Sequence, residues 1–469
     1  MKTIKYLVVG AAISISAPTM AQNVDFGNAL APITQALKTN PASAEALAKN
    51  YIKEYKKSPE ALIALGSSYL SVKNFAKADE LAELALSKSK KDARAQSEAY
   101  ILKGDIEAMK DETGNGGGAA TYYAQAKSID PKNPVGYMRY ASIYRKINPK
   151  LVEDTYNELR ANIPDYPIDA EAGHSFYAGE KYDKAYENYA KCNKESLDEY
   201  KLAEYIISAY MINKKEEGFK LADFGSNKFP KSINLARLAM WNAVDTKDFS
   251  NGIKYAQKVL NLEGDKSARD YTYYGNALLG NNQYTEAITQ FNKALELDPK
   301  AAEPLSKISE AYAGLGEEDK ALEYSELYMQ KNPNASPSDY AKLAQIYVAK
   351  ADKGIDKATN YSKALAIYDQ MANKYKEIAS WANMIAAGVA DKSGNTDLGA
   401  SYNQKIVDEL ANKADRDADE TGYLIQALRL LGFHYWSDKG DLESAKPYYE
   451  KLIQLEPNDK NAKAALGIE

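Results

Sequence analysis

The sequence predicts an all-α solenoid of about twelve antiparallel helix pairs, followed by a polar closing helix at 458–466. The main observation is a period of about 34 residues, seen when the segment 269–300 is laid over the rest of the chain. A second observation is the spacing of apolar residues three and four apart in each half of that segment, which indicates two amphipathic helices. Such a period is typical of a stack of small units that touch only their neighbours.

The segment 269–300 shows the pattern most clearly. Its first half places Tyr271, Tyr274 and Leu278 on one helical face, and its second half repeats this spacing from Tyr284 to Leu295. Between the halves, residues 280–282 read Gly-Asn-Asn, a sequence typical of a turn. The segment is therefore predicted to be a helical hairpin.

Small residues and a proline complete this hairpin. Gly275 and Ala287 lie where the two helices must approach closely, because a large side chain there would push their axes apart. Pro299 follows the second helix and blocks its continuation. These positions define the register in which the other segments are compared.

Near-copies of the pattern occur on both sides of this segment. They share small, aromatic and proline positions at similar offsets: Leu62, Gly66, Tyr69 and Ala82; Gly104, Tyr123 and Pro131; Gly173, Tyr182 and Tyr189; Leu305, Gly316 and Pro333; Gly432, Tyr449 and Pro457. More degenerate repeats are predicted at 199–230, 232–264, 340–376 and 377–414, and a divergent first pair at 24–57. Recurrence makes the prediction much more specific than one matching segment would be.

The segment 268–301 resembles a tetratricopeptide repeat, with Tyr271 where the family usually has tryptophan. The resemblance implies a right-handed superhelix whose first helices line a concave surface. It also implies a scaffold that binds proteins or peptides and is not an enzyme. Together with the start of the chain, it is similar to exported bacterial members of the family.

The first 21 residues are expected to be a signal peptide. Lys2 and Lys5 supply the positive charge, and 6–15 is a mostly apolar stretch too short to cross a bilayer as a mature helix. Thr19 and Ala21 are small residues at the positions that signal peptidases favour, with cleavage after Ala21. The protein is therefore expected to be exported, to the periplasm or the medium, with no transmembrane segment in the mature chain.

The rest of the chain is predicted to form two arrays, at 22–349 and 350–469. Their division is placed at an insertion of about eight residues near 350–360, where the repeat at 340–376 exceeds the period. This insertion is the candidate for a hinge between the arrays.

Composition excludes several classes of function. The formal net charge is −5 with both signs mixed, so the basic stripe of a nucleic-acid-binding protein is missing from the sequence. Two histidines, His174 and His434, and one cysteine, Cys192, are too few for most metal or nucleophile sites. We expect no catalytic residues, no metal and no cofactor. Each histidine is predicted to bond between helices, and Cys192 to be an inert thiol.

Candidate ligand-binding residues follow from the register. Tetratricopeptide arrays usually bind ligands on their first helices, and the exposed side of each first helix is found by counting from the position of Gly275. This rule selects Arg139, Ser142, Arg145, Tyr273, Asn276, Lys307, Lys342, Gln345, Arg429 and Trp436. Some relatives bind an acidic peptide terminus with a Lys/Asn clamp; Asn276 and Lys307 resemble part of one, but the full set is absent.

Three functions remain open at this point. The first is a scaffold or adaptor in the cell envelope that binds protein or peptide segments on its concave surface. The second is binding of a carbohydrate or peptidoglycan strand, suggested by export and by 37 tyrosines. The third is an accessory subunit of an outer-membrane assembly or secretion machine, which rests on the resemblance alone.

Overall fold

The computed structural model describes residues 24–111 and 116–468, and all regular structure within these ranges is helical. The predicted signal peptide at 1–21 lies outside them. The described chain contains 25 α-helices, that is, twelve consecutive pairs and one closing helix. The all-α class and the number of pairs are therefore confirmed.

Each pair consists of a first and a second helix. The first helices are α1 (Val24–Thr39), α3 (Pro59–Ser71), α5 (Ala93–Lys110), α7 (Pro134–Tyr144), α9 (Ile168–Ala178), α11 (Glu199–Met211), α13 (Ile233–Asp245), α15 (Ala268–Gly280), α17 (Glu303–Gly314), α19 (Pro337–Asp352), α21 (Ala379–Lys392) and α23 (Ala418–Phe433).

The second helices follow them along the chain. They are α2 (Pro41–Tyr55), α4 (Phe75–Lys88), α6 (Gly117–Ile129), α8 (Pro149–Asn162), α10 (Tyr182–Tyr189), α12 (Lys215–Lys228), α14 (Phe249–Asn261), α16 (Tyr284–Leu297), α18 (Glu318–Lys331), α20 (Lys357–Lys374), α22 (Thr396–Leu410) and α24 (Leu442–Leu455). The closing helix is α25 (Lys460–Leu466), and short turns lie at Lys194–Ser196, Lys376–Ile378 and His434–Asp438.

Local sequence fixes where these helices begin. Ser267 and Asp270 form a capping box at the start of α15, in which each side chain accepts a hydrogen bond from the other residue's backbone N–H. Asn74 caps α4 by accepting from the N–H of Lys77. Proline occupies the first turn of α3 and α7, where its missing N–H costs nothing.

The described residues form two compact units, one ending at Pro230 and the other beginning at Lys231. Unit 1 contains α1–α12 and unit 2 contains α13–α25. In both, neighbouring helices pack in chain order, so each unit is an α-solenoid. The insertion at 350–360 lies inside unit 2, where it extends the hairpin of α19 and α20. The predicted division there and the right-handed twist stay predictions.

Glycine lets the two helices of a pair interlock. In four pairs a glycine of the first helix lies under an aromatic ring of the second: Gly104 under Tyr123, Gly173 under Tyr189, Gly275 under Phe291 and Gly432 under Tyr449. A Cβ atom built on these glycines would lie between 2.4 and 2.9 Å from the ring. The four rings are almost fully buried, so they have no room to move aside.

A second glycine contact joins consecutive pairs. The ring of Phe249, at the start of α14, covers Gly280 at the end of the next first helix, and Tyr284 covers Gly314 in the same way one repeat later. A Cβ on Gly280 would lie 2.3 Å from Phe249 Cζ. The spacing between repeats, like the spacing within them, therefore depends on residues without a side chain.

Polar bonds also connect one repeat to the next. Arg237 of α13 donates to both carboxylate oxygens of Asp270 on α15, at 2.9 and 2.8 Å. Asp270 is 1% exposed, so this bidentate pair neutralises a buried charge.

Lysines at the ends of second helices form a related tie. Lys228 donates to the carbonyl of Leu197 at 2.7 Å, Lys331 to that of Pro299 at 2.9 Å, and Lys374 to that of Pro333 at 2.9 Å. Each lysine thus donates to a backbone carbonyl in the connection that precedes its own hairpin. Among the described residues, that carbonyl has no backbone donor of its own.

Replacement of Gly275 by alanine should destabilise unit 2. The new Cβ would lie 2.5 Å from Phe291 Cε1, and overpacking of this kind costs ~1–3 kcal/mol. The matched control is Gly388→Ala, because Gly388 lies in α21 with no heavy atom within 4 Å of the position that a Cβ would take. The control should stabilise the helix by roughly 0.5–1 kcal/mol. Urea denaturation followed by circular dichroism measures both; equal midpoints for the two variants would contradict the interlock.

Candidate functional site

The first helices of unit 1 form one continuous surface. Helices α1, α3, α5, α7, α9 and α11 each contact the next member of the series directly. Their outward sides therefore adjoin, while their inner sides pack on the second helices. We call this surface the first-helix face of unit 1.

The N-terminal half of this face contains an apolar cavity of about 640 Å³. Leu30 of α1, Ile63 of α3, Ile101 of α5 and Val135 of α7 are among its lining residues. Ser67 lies in the same wall and adds a hydroxyl to it. The cavity can bury apolar side chains and still offers a polar partner at its wall.

The C-terminal half contains a polar cavity of about 750 Å³. Its walls come from α7, α9 and α11, and its lining includes Arg145, Glu171, His174, Lys201 and Glu204. Arg94, Val135 and Arg139 line both cavities, so the two adjoin on one face. An occupant could therefore extend from one into the other.

Glu204 is the buried charge in the floor of the polar cavity. Its side chain is 5% exposed and accepts from the Tyr189 hydroxyl at 2.5 Å, while His174 Nδ1 lies 3.0 Å from either carboxylate oxygen. The bond to Glu204 raises the pKa of His174, since a carboxylate partner favours the imidazolium, although burial opposes the shift. The histidine is thus a link between α9 and α11, as the sequence predicts.

Arg139 is neutralised by a buried partner. Its Nε lies 3.0 Å from Asp105 Oδ1, and the Tyr123 hydroxyl donates to the same oxygen at 2.7 Å. Burial raises the pKa of Asp105, and Arg139 opposes this effect. The guanidinium therefore holds α7 against α5 and is only partly available to a ligand.

Arg145 differs from the other charged residues of the polar cavity. Within the described chain, no carboxylate lies within ion-pair distance of its guanidinium. Lys201 is paired with Glu171 at 2.7 Å, and Arg94 with Glu98 at 2.7 Å. The Arg145 carbonyl lies close to Gly179, where an added Cβ would meet its oxygen at 2.4 Å. Arg145 therefore lines the cavity as a cation without an acidic partner among the described residues.

Three of the ten residues selected by the register meet in this cavity: Arg139, Ser142 and Arg145. Arg139 and Ser142 belong to α7, and Arg145 is its C-cap. Ser142 donates to the Arg139 carbonyl at 2.7 Å and keeps its acceptor capacity. The other seven lie in unit 2, spread over several first helices and the turn that follows α23.

In unit 2, Tyr273 and Asn276 lie on α15. The Tyr273 ring is 5.7 Å from that of Trp241, and the Arg269 guanidinium lies 4.1 Å above the indole. Trp241 is only 4% exposed, so it presents no open face on which a sugar could stack. The amide oxygen of Asn276 is buried and has no partner within the described chain.

The remaining selected residues have varied surroundings. Lys307 bonds to Glu310 on its own helix at 2.9 Å, and Lys342 and Gln345 are exposed. Arg429 donates to Asp459 at 2.9 Å and also contacts Glu456. It therefore ties α23 to the start of the closing helix.

Trp436 lies in the turn His434–Asp438, a single π-helical turn, with its ring edge-on to Tyr449 at 6.0 Å. His434 in the same turn bridges to Asp397 on α22 at 3.2 Å, which confirms its predicted role between helices.

Burial raises the pKa of the Cys192 thiol to about 11, so it is protonated near neutral pH.

The ten selected residues do not include those that α9 and α11 contribute to the polar cavity. On α9, Glu171 and His174 lie two residues before and one residue after Gly173, so counting from that glycine does point to them. Helix α11 belongs to the degenerate repeat at 199–230, which has no glycine in its first helix from which to count. Lys201 and Glu204 therefore gave no positional signal. Their spacing of three residues, which places both on one helical face, is the only pattern that points to them.

Comparisons with known proteins agree with the repeat pattern. Residues 275–316 match a family model described as TPR repeat, and residues 430–459 match one described as tetratricopeptide repeat. No curated protein matches the chain. The chain therefore contains tetratricopeptide repeats in these two segments, and repeats of this kind support a protein-interaction scaffold.

Several solved structures are similar at low identity. The C-terminal part of a TPR repeat-containing protein from Cytophaga hutchinsonii is 18% identical, with 56% of this chain and 99% of that chain covered and a TM-score of 0.45. YrrB, described as a TPR protein with an unusual peptide-binding site, is 18% identical over 40% of this chain and 91% of its own, with a TM-score of 0.32. PilF of Pseudomonas aeruginosa is 14% identical, over 48% and 99%, with a TM-score of 0.35.

Within the ranges that the structure describes, no helix has both the length and the apolar character required to cross a bilayer.

The His174–Glu204 pair should make stability depend on pH. Because folding raises the pKa of His174, its contribution is fully present below the unfolded pKa of about 6.5 and is lost as pH rises through the folded value. The loss of unfolding free energy in His174→Gln should therefore be larger at pH 6 than at pH 9. Urea titrations of both proteins at the two pH values measure it, and a difference that does not change with pH would refute the link.

Proposed function

We propose that the protein is an exported, non-enzymatic scaffold that holds a segment of a partner protein on the first-helix face of unit 1. The observation that carries this proposal is the pair of adjoining cavities on that face. One is lined by apolar side chains and the other by charged ones, as a protein segment requires.

Two features support binding of a protein segment on this face. Ser67 and Ser142 supply hydroxyl oxygens that can accept from backbone N–H groups, and an extended segment brings many such donors. Arg139, Arg145 and the ring of Tyr166 are of the residue types that dominate binding energy in protein interfaces. The tetratricopeptide repeats also favour binding of a protein segment, because repeats of this kind support a protein-interaction scaffold.

Export is the other part of the proposal. It is supported by the sequence of residues 1–21, with its lysines, its apolar stretch and its small residues before Gln22. A partner would then be another protein of the cell envelope or of the medium.

A photo-crosslinking amino acid at position 142 should capture a partner in the native cell. The same amino acid at position 187 is the control, because Glu187 is exposed on the second helix α10, away from the first-helix face. The adduct at 142 should be lost when Leu30→Glu places a charge in the apolar cavity, and kept with Leu47→Glu, an exposed leucine of α2. Equal adducts at 142 and 187, or an adduct that survives Leu30→Glu, would refute this use of the face.

Amino-terminal sequencing of the protein purified from its native cell tests export. The mature chain should begin at Gln22, and it should fractionate with the envelope or the medium. A chain that retains residues 1–21 and stays in the cytosolic fraction would contradict this part of the proposal.

A further inference from the structure

Among the described residues that line the polar cavity, Arg145 is the one cation with no carboxylate within ion-pair distance. Arg94, Arg139, His174 and Lys201 are each paired with an acidic residue. Glu204 is bonded to His174 and Tyr189, and Glu171 to Lys201. Asp198 accepts from the N–H of Lys201 as the cap of α11. These acids leave the Arg145 guanidinium uncompensated, so an anionic group from outside would find an unopposed partner there.

The neighbouring cavity defines the rest of the ligand. Its lining from α1 to α7 is largely apolar, with Leu30, Ile63 and Ile101 in its walls. The cavities share Arg94, Val135 and Arg139, so a ligand that fills the apolar cavity passes directly to Arg145. The face thus presents an apolar subsite followed by a cationic one.

Helix spacing sets the minimum length of the segment. Two steps between adjacent first helices separate α3 from α7, and packed helices lie ~8–10 Å apart. The sideways distance is therefore about 16–20 Å. Because Ile63 lies in the first half of α3 and Arg145 just after the end of α7, the path between them is at least this long, and an extended chain needs at least roughly five or six residues to span it at ~3.3 Å each.

We propose that the first-helix face of unit 1 selects extended peptide segments in which an apolar stretch is separated by at least roughly five residues from a carboxylate that binds Arg145. This inference rests on the proposed function and specifies the chemistry of the partner. The carboxylate is either an aspartate or glutamate side chain or the carboxyl end of a chain. A peptide is favoured over a fatty acid because Ser67 and Ser142 offer partners that backbone amides use and an acyl chain lacks.

The test uses the full mature chain and an immobilised positional-scanning library of nine-residue peptides, made with free and with amidated carboxyl ends. Three proteins are compared: the wild type, Arg145→Gln, and Lys146→Gln. Lys146 is the exposed neighbour outside the cavity, so its replacement matches the change in net charge. Melting curves establish that the variants are folded.

The wild type and Lys146→Gln should prefer peptides that carry both an apolar stretch and an acidic residue at this separation by about tenfold over their glutamine counterparts, as expected for one charge-assisted bond. Arg145→Gln should bind both kinds equally. If the preference is found only in peptides with free carboxyl ends, the carboxylate that binds Arg145 is a chain terminus. If the preference persists in amidated peptides, the carboxylate is an aspartate or glutamate side chain.

The failures of the two proposals are distinguishable. If the wild type binds apolar peptides with no preference for a carboxylate, the Arg145 subsite is refuted while peptide binding stands. If Arg145→Gln keeps the preference, the subsite is likewise refuted. If no peptide is retained, or if oleate displaces the peptides with the same dependence on Arg145, both the subsite and the proposed function of the face are overturned.

Discussion

The structure depends on the close approach of paired helices at positions without a side chain. Gly275 under Phe291 and Gly173 under Tyr189 show the same arrangement, in which an aromatic ring of the second helix fills the space above a glycine of the first. The ring buries a large apolar area, and the glycine lets the helix axes come near enough for that burial. The same contact occurs in four of the twelve described pairs, and it sets the hairpin geometry in each of them.

This constraint also determines which residues reach the ligand-facing surface. When the inner side of a first helix is occupied by glycine and by residues packed on the second helix, the side chains about one turn away point outward. In α7, Gly136, Tyr137 and Ala141 are buried, while Arg139 and Ser142 of the helix and Arg145 at its C-cap line the cavity. The cavities of unit 1 are therefore a consequence of the packing, and their chemistry is set by side chains that the packing leaves free.

The sequence predicts the fold closely and the site only in part. The hairpin of α15 and α16 could be predicted because glycine, aromatic and proline positions all agree on one register. The partners of Arg429 could not be predicted in the same way. The register places Arg429 on the outer side of α23, but only the fold shows that it donates hydrogen bonds to Asp459 and Glu456. Glu204 was missed because α11 has no glycine to count from, and because its partners, His174 and Tyr189, belong to other helices.

The lysine ties have a consequence for how such a chain can change in length. The bond from Lys331 to the Pro299 carbonyl spans 32 residues, and the equivalent bond from Lys374 to the Pro333 carbonyl spans 41. Both nevertheless join the end of a second helix to the loop that connects its hairpin to the preceding one. The additional residues between 333 and 374 lengthen the hairpin at its far end, through the long helices α19 and α20. Residues can thus be added or removed at the turn between the two helices of a hairpin while the spacing of adjacent hairpins at their other ends stays the same. These turns are therefore the natural positions for grafting new sequence.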